Sequence, residues 1–297
     1  MSAPPALDGA TAVYGILGHP VRQSLSPAMH NAAFGSLSIN AAYLPFPTPP
    51  EKLEAAVSGL SAADVKGFNL TTPHKTAILP MLAEILPAAR AIGAVNTVRN
   101  DGGRLSGANT DGEGFLRSLA EDLSFDPAGK EALLLGAGGA ARAIAFALLG
   151  AGVSRLVIAN RTPARAESLA ADCRGQHSGP AIEAASIDDL AGGAPHLLVN
   201  ATTVGMGDGN SPVELEALGV REAVADIVYH PLETPLLTQA RALGLTHTNG
   251  IGMLLYQGAA AFTFWTGREA PVKVMRAALL EAAGSKAAGE VGMGTEK

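Results

Sequence analysis

The chain has 297 residues, enough for two domains of ordinary size, and 47% of them are hydrophobic against 16% charged, the balance of a globular chain with a large core. A formal net charge of −6 lacks the basic footprint that nucleic-acid or membrane-surface binding needs, and no apolar run reaches the ~18 residues of a membrane-spanning helix. The opening Met-Ser-Ala-Pro-Pro has neither the basic start nor the apolar stretch of a secretion signal, and the single cysteine, Cys173, has no partner for an internal disulfide, so a cytoplasmic protein with an idle thiol is expected.

In chain order, Thr11–Leu17 is an apolar run closed by Gly18 and predicts a first strand. Ser26-Pro27 offers an N-cap and a first-turn proline for a helix to about Leu37. Ala41–Phe46 reads as a second strand, and Thr48-Pro-Pro-Glu51 has the capping-box spacing that opens a helix to about Leu60. Val65–Leu70 is a third strand. Asn100-Asp-Gly-Gly103 is a hairpin turn between Asn96–Arg99 and Arg104–Ala108, which completes a mixed α/β domain.

From Asp111 a helical stretch leads to Asp126-Pro127, read as the interdomain connection. Strands at Ala132–Leu135, Leu156–Ala159 and Leu197–Asn200 then alternate with helices to about Ala151 and from Pro163, the doubly wound parallel pattern of a Rossmann-type domain. Two helical segments, Met253–Thr266 and Pro271–Ala283, close the chain before a small, polar tail expected to fray.

The clearest local signal is Glu131–Leu135 running into Gly136-Ala137-Gly138-Gly139-Ala140-Ala141. The first glycine permits a tight turn, the second lets backbone approach a diphosphate, and Ala141 takes the place of a third small residue where helix and strand pack. Amides at the helix start favour the diphosphate charge. A glycine-rich loop alone is weak; its place between strand and helix strengthens it, and the next strand adds more. An NAD-binding fold usually carries an acid at the end of that strand, for the ribose 2′-hydroxyl. Here the strand ends in Asn160-Arg161-Thr162, with Arg165 one helical turn on. A lone arginine is by default a solvated surface residue. Two arriving together at the adenosine end of such a fold suit a 2′-phosphate, so NADP is the expected cofactor.

Several polar clusters follow strand ends: Gln23-Ser24-Leu25-Ser26-Pro27, Asn69-Leu70-Thr71-Thr72-Pro73-His74-Lys75, Gly93-Ala-Val-Asn96-Thr97 and Asn109-Thr110-Asp111-Gly112. With the glycine-rich loop, Asn160-Arg161-Thr162 and Gly250-Ile-Gly-Met253, they stand in the same order as the motifs of the shikimate dehydrogenases, which the chain resembles over nearly its whole length. The resemblance implies reversible NADPH-dependent reduction of 3-dehydroshikimate to shikimate in aromatic amino-acid biosynthesis. It implies Lys75 and Asp111 as the catalytic pair, also touching substrate; Ser24, Ser26 and Tyr229 at the substrate carboxylate; Thr71, Asn96 and Gln257 at the ring hydroxyls; and Gly250 and Met253 by the nicotinamide.

The chemistry agrees, because reducing a ketone needs a hydride donor and a proton source at the developing alkoxide, which a lysine and a carboxylate supply. Read without that context, Lys75 is an ordinary solvated lysine, Asp111 a helix cap, and Asn69 a support of its strand end. His74 is read as facing away from the pocket, His230 carries no role, and no spacing resembles a metal site.

The expected organisation is a substrate-binding and catalytic domain over 1–111, an NADP-binding Rossmann domain over 112–249, C-terminal helices over 250–284 returning to the first domain, and a frayed tail over 285–297. The active site is expected in a cleft that opens and closes, in a monomer or homodimer acting on a small molecule. Three other readings stand beside this one. An NAD-using quinate/shikimate dehydrogenase is opposed by Asn160-Arg161 and by serine rather than threonine at 26. An aminoshikimate dehydrogenase would look very similar. From another class, an idle NADP-binding regulator built on the fold is opposed by the presence of both Lys75 and Asp111.

Overall fold

The computed structural model describes residues 7–293, with side chains described through residue 285. The chain divides into two compact units: residues up to Thr110 together with those from Leu255 on, and Asp111–Leu254.

The first unit holds β1 (Ala12–Gly18), α1 (Ser26–Ser36), β2 (Ala41–Pro47), α2 (Leu53–Ala62), β3 (Gly67–Leu70), β4 (Glu84–Ile85), α3 (Pro87–Ile92), β5 (Thr97–Asp101) and β6 (Arg104–Ala108). Its six-stranded sheet has the order β2-β1-β3-β5-β6-β4. β1 lies parallel to β2 and β3, whereas β5 is antiparallel to β3 and to β6. The predicted hairpin is present: Gly102 and Gly103 take φ of +60° and +93°, and Asn100 Oδ1 accepts from the Gly103 amide at 2.8 Å. Leu17, Val57, Phe68, Ile78, Val95, Val98 and Leu105 form a core on this sheet.

Two expected caps differ. The N-cap of α1 is Leu25 with no side-chain cap, because Ser26 is already the first helical residue. Thr48 does not open α2. Its hydroxyl donates to the Phe46 carbonyl at 2.9 Å, and a 3₁₀ turn at Pro50–Lys52 intervenes before Leu53. The Thr48 amide is also taken, donating to the Gly18 carbonyl at 3.0 Å, so neither half of a capping box forms there.

The second unit contains α4 (Asp111–Leu123), β7 (Glu131–Leu135), α5 (Gly139–Gly150), β8 (Arg155–Asn160), α6 (Pro163–Arg174), β9 (Ala181–Ser186), β10 (Leu197–Asn200), α7 (Leu215–Leu218), β11 (Ala223–Asp226), α8 (Pro235–Ala242) and β12 (Thr246–Thr248). All its strands are parallel, in the order β12-β11-β10-β7-β8-β9. Chain order reverses between β7 and β10, the switch point where doubly wound sheets bind ligands. Asp126-Pro127 lies inside this unit rather than between domains, because α4 packs on α5 and so belongs with the second sheet.

Helix α9 (Gly250–Thr266) leaves the second unit after Leu254 and continues in the first. There Trp265 Nε1 donates to the Val98 carbonyl at 2.9 Å, and α10 (Val272–Met293) packs on α1, so the C-terminal helices return to the first sheet. Helix α10 does not stop at Gly284 as expected. A stretch of alanine, lysine and glutamate sustains it despite its glycines, and residues 294–297 of the expected tail lie outside the described residues. Among the described residues, no helix is long and apolar enough to cross a membrane.

Candidate active site

In the first unit the candidate residues gather at the C-terminal ends of β1 and β3. The loops leaving these parallel strands are laced together: the Thr71 amide donates to the Leu17 carbonyl at 2.9 Å, and His19 to Thr72 at 3.0 Å. Ser24 is half-buried, and its hydroxyl oxygen accepts from the Ser26 amide at 3.2 Å. Thr71 and Lys75, both half-buried, share the loop after β3. Between them and α3 that loop is pinned at several points. The His74 amide donates to Thr71 at 2.9 Å, and the Val95 amide donates to the Lys75 carbonyl at 2.8 Å. The buried His74 ring places Nε2 2.8 Å from the Thr48 carbonyl. A carbonyl only accepts, so Nε2 carries the proton there, and this imidazole anchors the lysine loop.

Asn96 lies at the centre of a buried polar network. Its Oδ1 accepts from the Thr110 amide at 2.8 Å and the Thr97 hydroxyl at 3.0 Å. Its Nδ2 donates to Thr110 Oγ1 at 2.9 Å and to Gln257 Oε1, on α9, at 3.4 Å. Asn69 enters from β3, with Nδ2 donating to the Asn96 carbonyl at 3.1 Å and to Thr97 Oγ1 at 3.0 Å. The Tyr43 phenol donates to Asn69 Oδ1 at 2.7 Å. Two expected substrate residues, Asn96 and Gln257, are therefore joined directly, and Asn69 and Tyr43 support them from behind. Tyr43 sits in a stretch that reads as core strand. The available signal was a tyrosine in a strand that alternates inward, since a buried phenol needs a partner.

In the second unit Asp111 is buried at the start of α4, where the helix dipole favours a carboxylate. The glycine-rich loop joins β7 to α5 at the switch point. Gly136 has φ +113°, and a Cβ there would stand 2.9 Å from the Ala201 carbonyl oxygen, so both backbone and space demand glycine. Gly138 is the exposed N-cap of α5, with no side-chain cap. A Cβ there would meet nothing within 4 Å, which leaves backbone amides of Gly139 and Ala140 open to an anion beside Ala137. Ala141 is fully buried where helix meets strand.

Asn160 ends β8, and its Nδ2 donates to the Thr162 carbonyl at 3.0 Å. Arg161, Thr162 and Arg165 are exposed around the start of α6. Most neighbouring arginines are engaged: Arg142 with Asp172, Arg155 with Glu183 and Glu131, Arg174 with Glu167. Among the described residues, neither Arg161 nor Arg165 has an ion pair, which leaves two guanidiniums for an external anion. The donor set fits a dinucleotide carrying a 2′-phosphate.

Tyr229 follows β11, half-buried, and burial raises its phenol above the usual tyrosine range. Its loop hangs from Asp226, whose carboxylate accepts from Asn200 at 3.0 Å, the Val228 amide at 3.0 Å and Thr234 Oγ1 at 2.7 Å. Burial nonetheless pushes the Asp226 carboxyl upward. The Gly250 amide donates to the Val228 carbonyl at 2.9 Å, seating the first turn of α9 and the buried Met253 beside that loop.

Comparison with known proteins agrees with both halves. The family model described as "Shikimate dehydrogenase substrate binding domain" matches residues 16–98, "Shikimate / quinate 5-dehydrogenase" matches 118–199, and "Shikimate 5'-dehydrogenase C-terminal domain" matches 250–280. An NADP(+)-dependent shikimate dehydrogenase of Methanopyrus kandleri is 48% identical over 288 residues, which is 95% of this chain and 99% of the relative. A crystal structure of a shikimate dehydrogenase in complex with NADP+ superposes with a TM-score of 0.88 at 39% identity, covering 95% of this chain and 99% of that one. The shikimate 5-dehydrogenase of Thermus thermophilus, in complex with NADP(H) and shikimate, gives 0.82 at 42% identity over 92% of this chain and 100% of that one.

Proposed function

Because the chain belongs to the shikimate dehydrogenase family, we propose that its own residues carry out the reversible NADPH-dependent reduction of 3-dehydroshikimate to shikimate, with Lys75 and Asp111 as the acid–base pair. It is an NADP-dependent oxidoreductase of aromatic amino-acid biosynthesis. The observation that carries the residue assignments is the buried amide and hydroxyl network around Asn96, a donor and acceptor set suited to a polyhydroxylated ring.

When bound, the cofactor supplies the hydride. Lys75 Nζ then meets the carbonyl oxygen, stabilises the alkoxide as it forms and delivers the proton that completes the hydroxyl; Asp111 accepts from a ring hydroxyl. In the oxidative direction the same amine takes the hydroxyl proton back. Ser24, Ser26 and Tyr229 donate to the ring acid's carboxylate, and Thr71, Asn96 and Gln257 hold its hydroxyls. Gly136–Ala140 receive the diphosphate, Asn160 and Thr162 line the adenosine end, and Arg161 and Arg165 pair with the 2′-phosphate. Gly250 and Met253 border the nicotinamide. With NADPH as reductant and a lone buried thiol at Cys173, the enzyme suits a cytoplasmic setting.

A substrate-by-cofactor panel tests the reading, with absorbance of reduced cofactor as the signal. Turnover is expected with shikimate and NADP. Silence there but turnover with quinate and NAD would replace the assignment, and silence with every ring acid despite NADPH binding would favour a regulator.

A further inference from the structure

We propose that Asp226 is a positioning residue of the substrate site, its buried carboxylate holding the Tyr229 loop at both ends and so fixing that phenol relative to the glycine-rich loop. It rests on the assignment of Tyr229 to the substrate carboxylate made above.

Asp226 and Asn200 end the neighbouring parallel strands β11 and β10, paired in register at the last position of each, and both are buried. The Thr202 amide can only donate, so the Asn200 atom 3.1 Å from it is Oδ1, which also accepts from the Thr202 hydroxyl at 2.7 Å. That turns Nδ2 to the Val204 carbonyl at 3.1 Å and to Asp226 Oδ1 at 3.0 Å. Residues 201–204 are thus wound around the Asn200 amide. Their first carbonyl lies against Gly136, where a Cβ would stand 2.9 Å from the Ala201 oxygen. The carboxylate is in this way tied to backbone at the switch point.

From that anchor its two oxygens reach opposite ends of one loop. Oδ1 accepts from the Val228 amide at 3.0 Å, an Asx-turn that sets the direction in which the chain leaves β11, one residue before Tyr229. Oδ2 accepts from Thr234 Oγ1 at 2.7 Å, and the same hydroxyl caps α8 by accepting from the Leu237 amide at 3.3 Å. Between these points residues 229–233 come to the surface, with Leu232 and Glu233 exposed. Asn249, just before α9, steadies the middle by donating to the Leu232 carbonyl at 3.0 Å. Burying a carboxylate is costly unless donors meet it, so each of these donors is held where the carboxylate needs it. Burial also raises the Tyr229 phenol, which therefore meets an anionic ligand as a donor. A phenol at the end of a tyrosine side chain magnifies any rotation of its backbone, and the turn at Asp226 sets that rotation.

Asp226→Ala removes all three bonds, whereas Asp226→Asn keeps the shape, the acceptor for Val228 and Asn200, and an amide that Thr234 Oγ1 can receive. In shikimate oxidation Asp226→Ala is expected to raise KM for shikimate about tenfold, the lower end of what a hydrogen bond to a charged group is worth, with KM for NADP within about twofold. Asp226→Asn should restore KM to within about threefold of the wild type. Should Asp226→Ala fold poorly, Thr234→Val releases the far end of the loop and carries the same expectation, reversed by Thr234→Ser. An unchanged KM for shikimate overturns the proposal, as does a parallel rise in both KM values, the pattern of general loosening. Tyr229→Phe removes the phenolic donor alone and should itself raise KM for shikimate about tenfold. In that background Asp226→Ala should add less than about twofold, because the group it positions is gone. Full additivity makes Asp226 a strut that does not act through Tyr229 and overturns the proposal alone. An unchanged KM in Tyr229→Phe removes the assignment of that residue, and a wild-type protein that does not oxidise shikimate removes the functional reading; either takes the proposal with it.

Discussion

His30 allows a sharp test of how this core is built. It is fully buried, neither ring nitrogen has a hydrogen-bond partner, and it packs between Tyr43 and Trp265. Burial lowers its pKa from 6.5 to about 3. The folded protein therefore tolerates only the neutral ring, whereas the unfolded chain takes up a proton as pH falls below about 6.5. A depressed folded-state value means the stabilisation is fully present above the unfolded value and is lost as pH falls toward the folded one. Between pH 7 and pH 4, linkage over that interval amounts to about 3 kcal/mol from this residue alone, on the order of a fifth to three fifths of a domain's usual stability. His30→Phe removes the titration while keeping an aromatic ring to stack. Urea unfolding of both proteins at pH 7 and pH 4 separates the term, because all other titrating groups are common to the pair. The wild type should lose about 3 kcal/mol more than the variant over this range. Equal losses would refute the claim that His30 is held neutral without partners.

Two further outcomes concern the chemistry. Replacing Arg161 and Arg165 together with alanine should weaken NADPH binding by roughly ten- to a hundredfold, the worth of one or two charge-assisted hydrogen bonds, and barely change NADH binding in a fluorescence titration. Equal losses for the two cofactors would remove the 2′-phosphate assignment. Lys75→Ala should depress kcat by roughly 10²- to 10⁴-fold while shikimate binding stays measurable by calorimetry, because the amine matters most as the alkoxide forms. Near-normal turnover would take Lys75 out of the reaction.

Much of the fold is legible in sequence because its periodicities are local. The strand–helix alternation after Asp111 announces the doubly wound sheet, and Gly136-Ala-Gly138 marks the switch point before any coordinate is known. The hairpin at Asn100–Gly103 is equally plain. Less legible are features decided by tertiary partners. Ser26 and Thr48 have cap-like sequence contexts, yet Ser26 is already inside its helix and the Phe46 carbonyl claims the Thr48 hydroxyl. Asp126-Pro127 looks like a domain break, but α4 sides with the second sheet through its packing on α5. The substrate residues are named by motif, while their supports are not. Tyr43 lies 26 residues from Asn69, and Gln257 lies 161 from Asn96, so their meeting depends on sheet register and on the return of α9. His74 illustrates the same limit: sequence can say that it neighbours Lys75, and only the fold shows its ring spent on Thr48.

The central claim is that hydride passes between NADPH and the carbinol carbon of shikimate on this chain, and isotope transfer tests it directly. The enzyme would be given 3-dehydroshikimate with NADPH deuterated at one or the other position of nicotinamide C4, and the product examined by mass spectrometry and proton NMR. One of the two cofactors should yield shikimate carrying a single deuterium at the newly formed carbinol carbon, and the other should yield unlabelled shikimate. Product unlabelled from both, or no shikimate at all, would contradict the account.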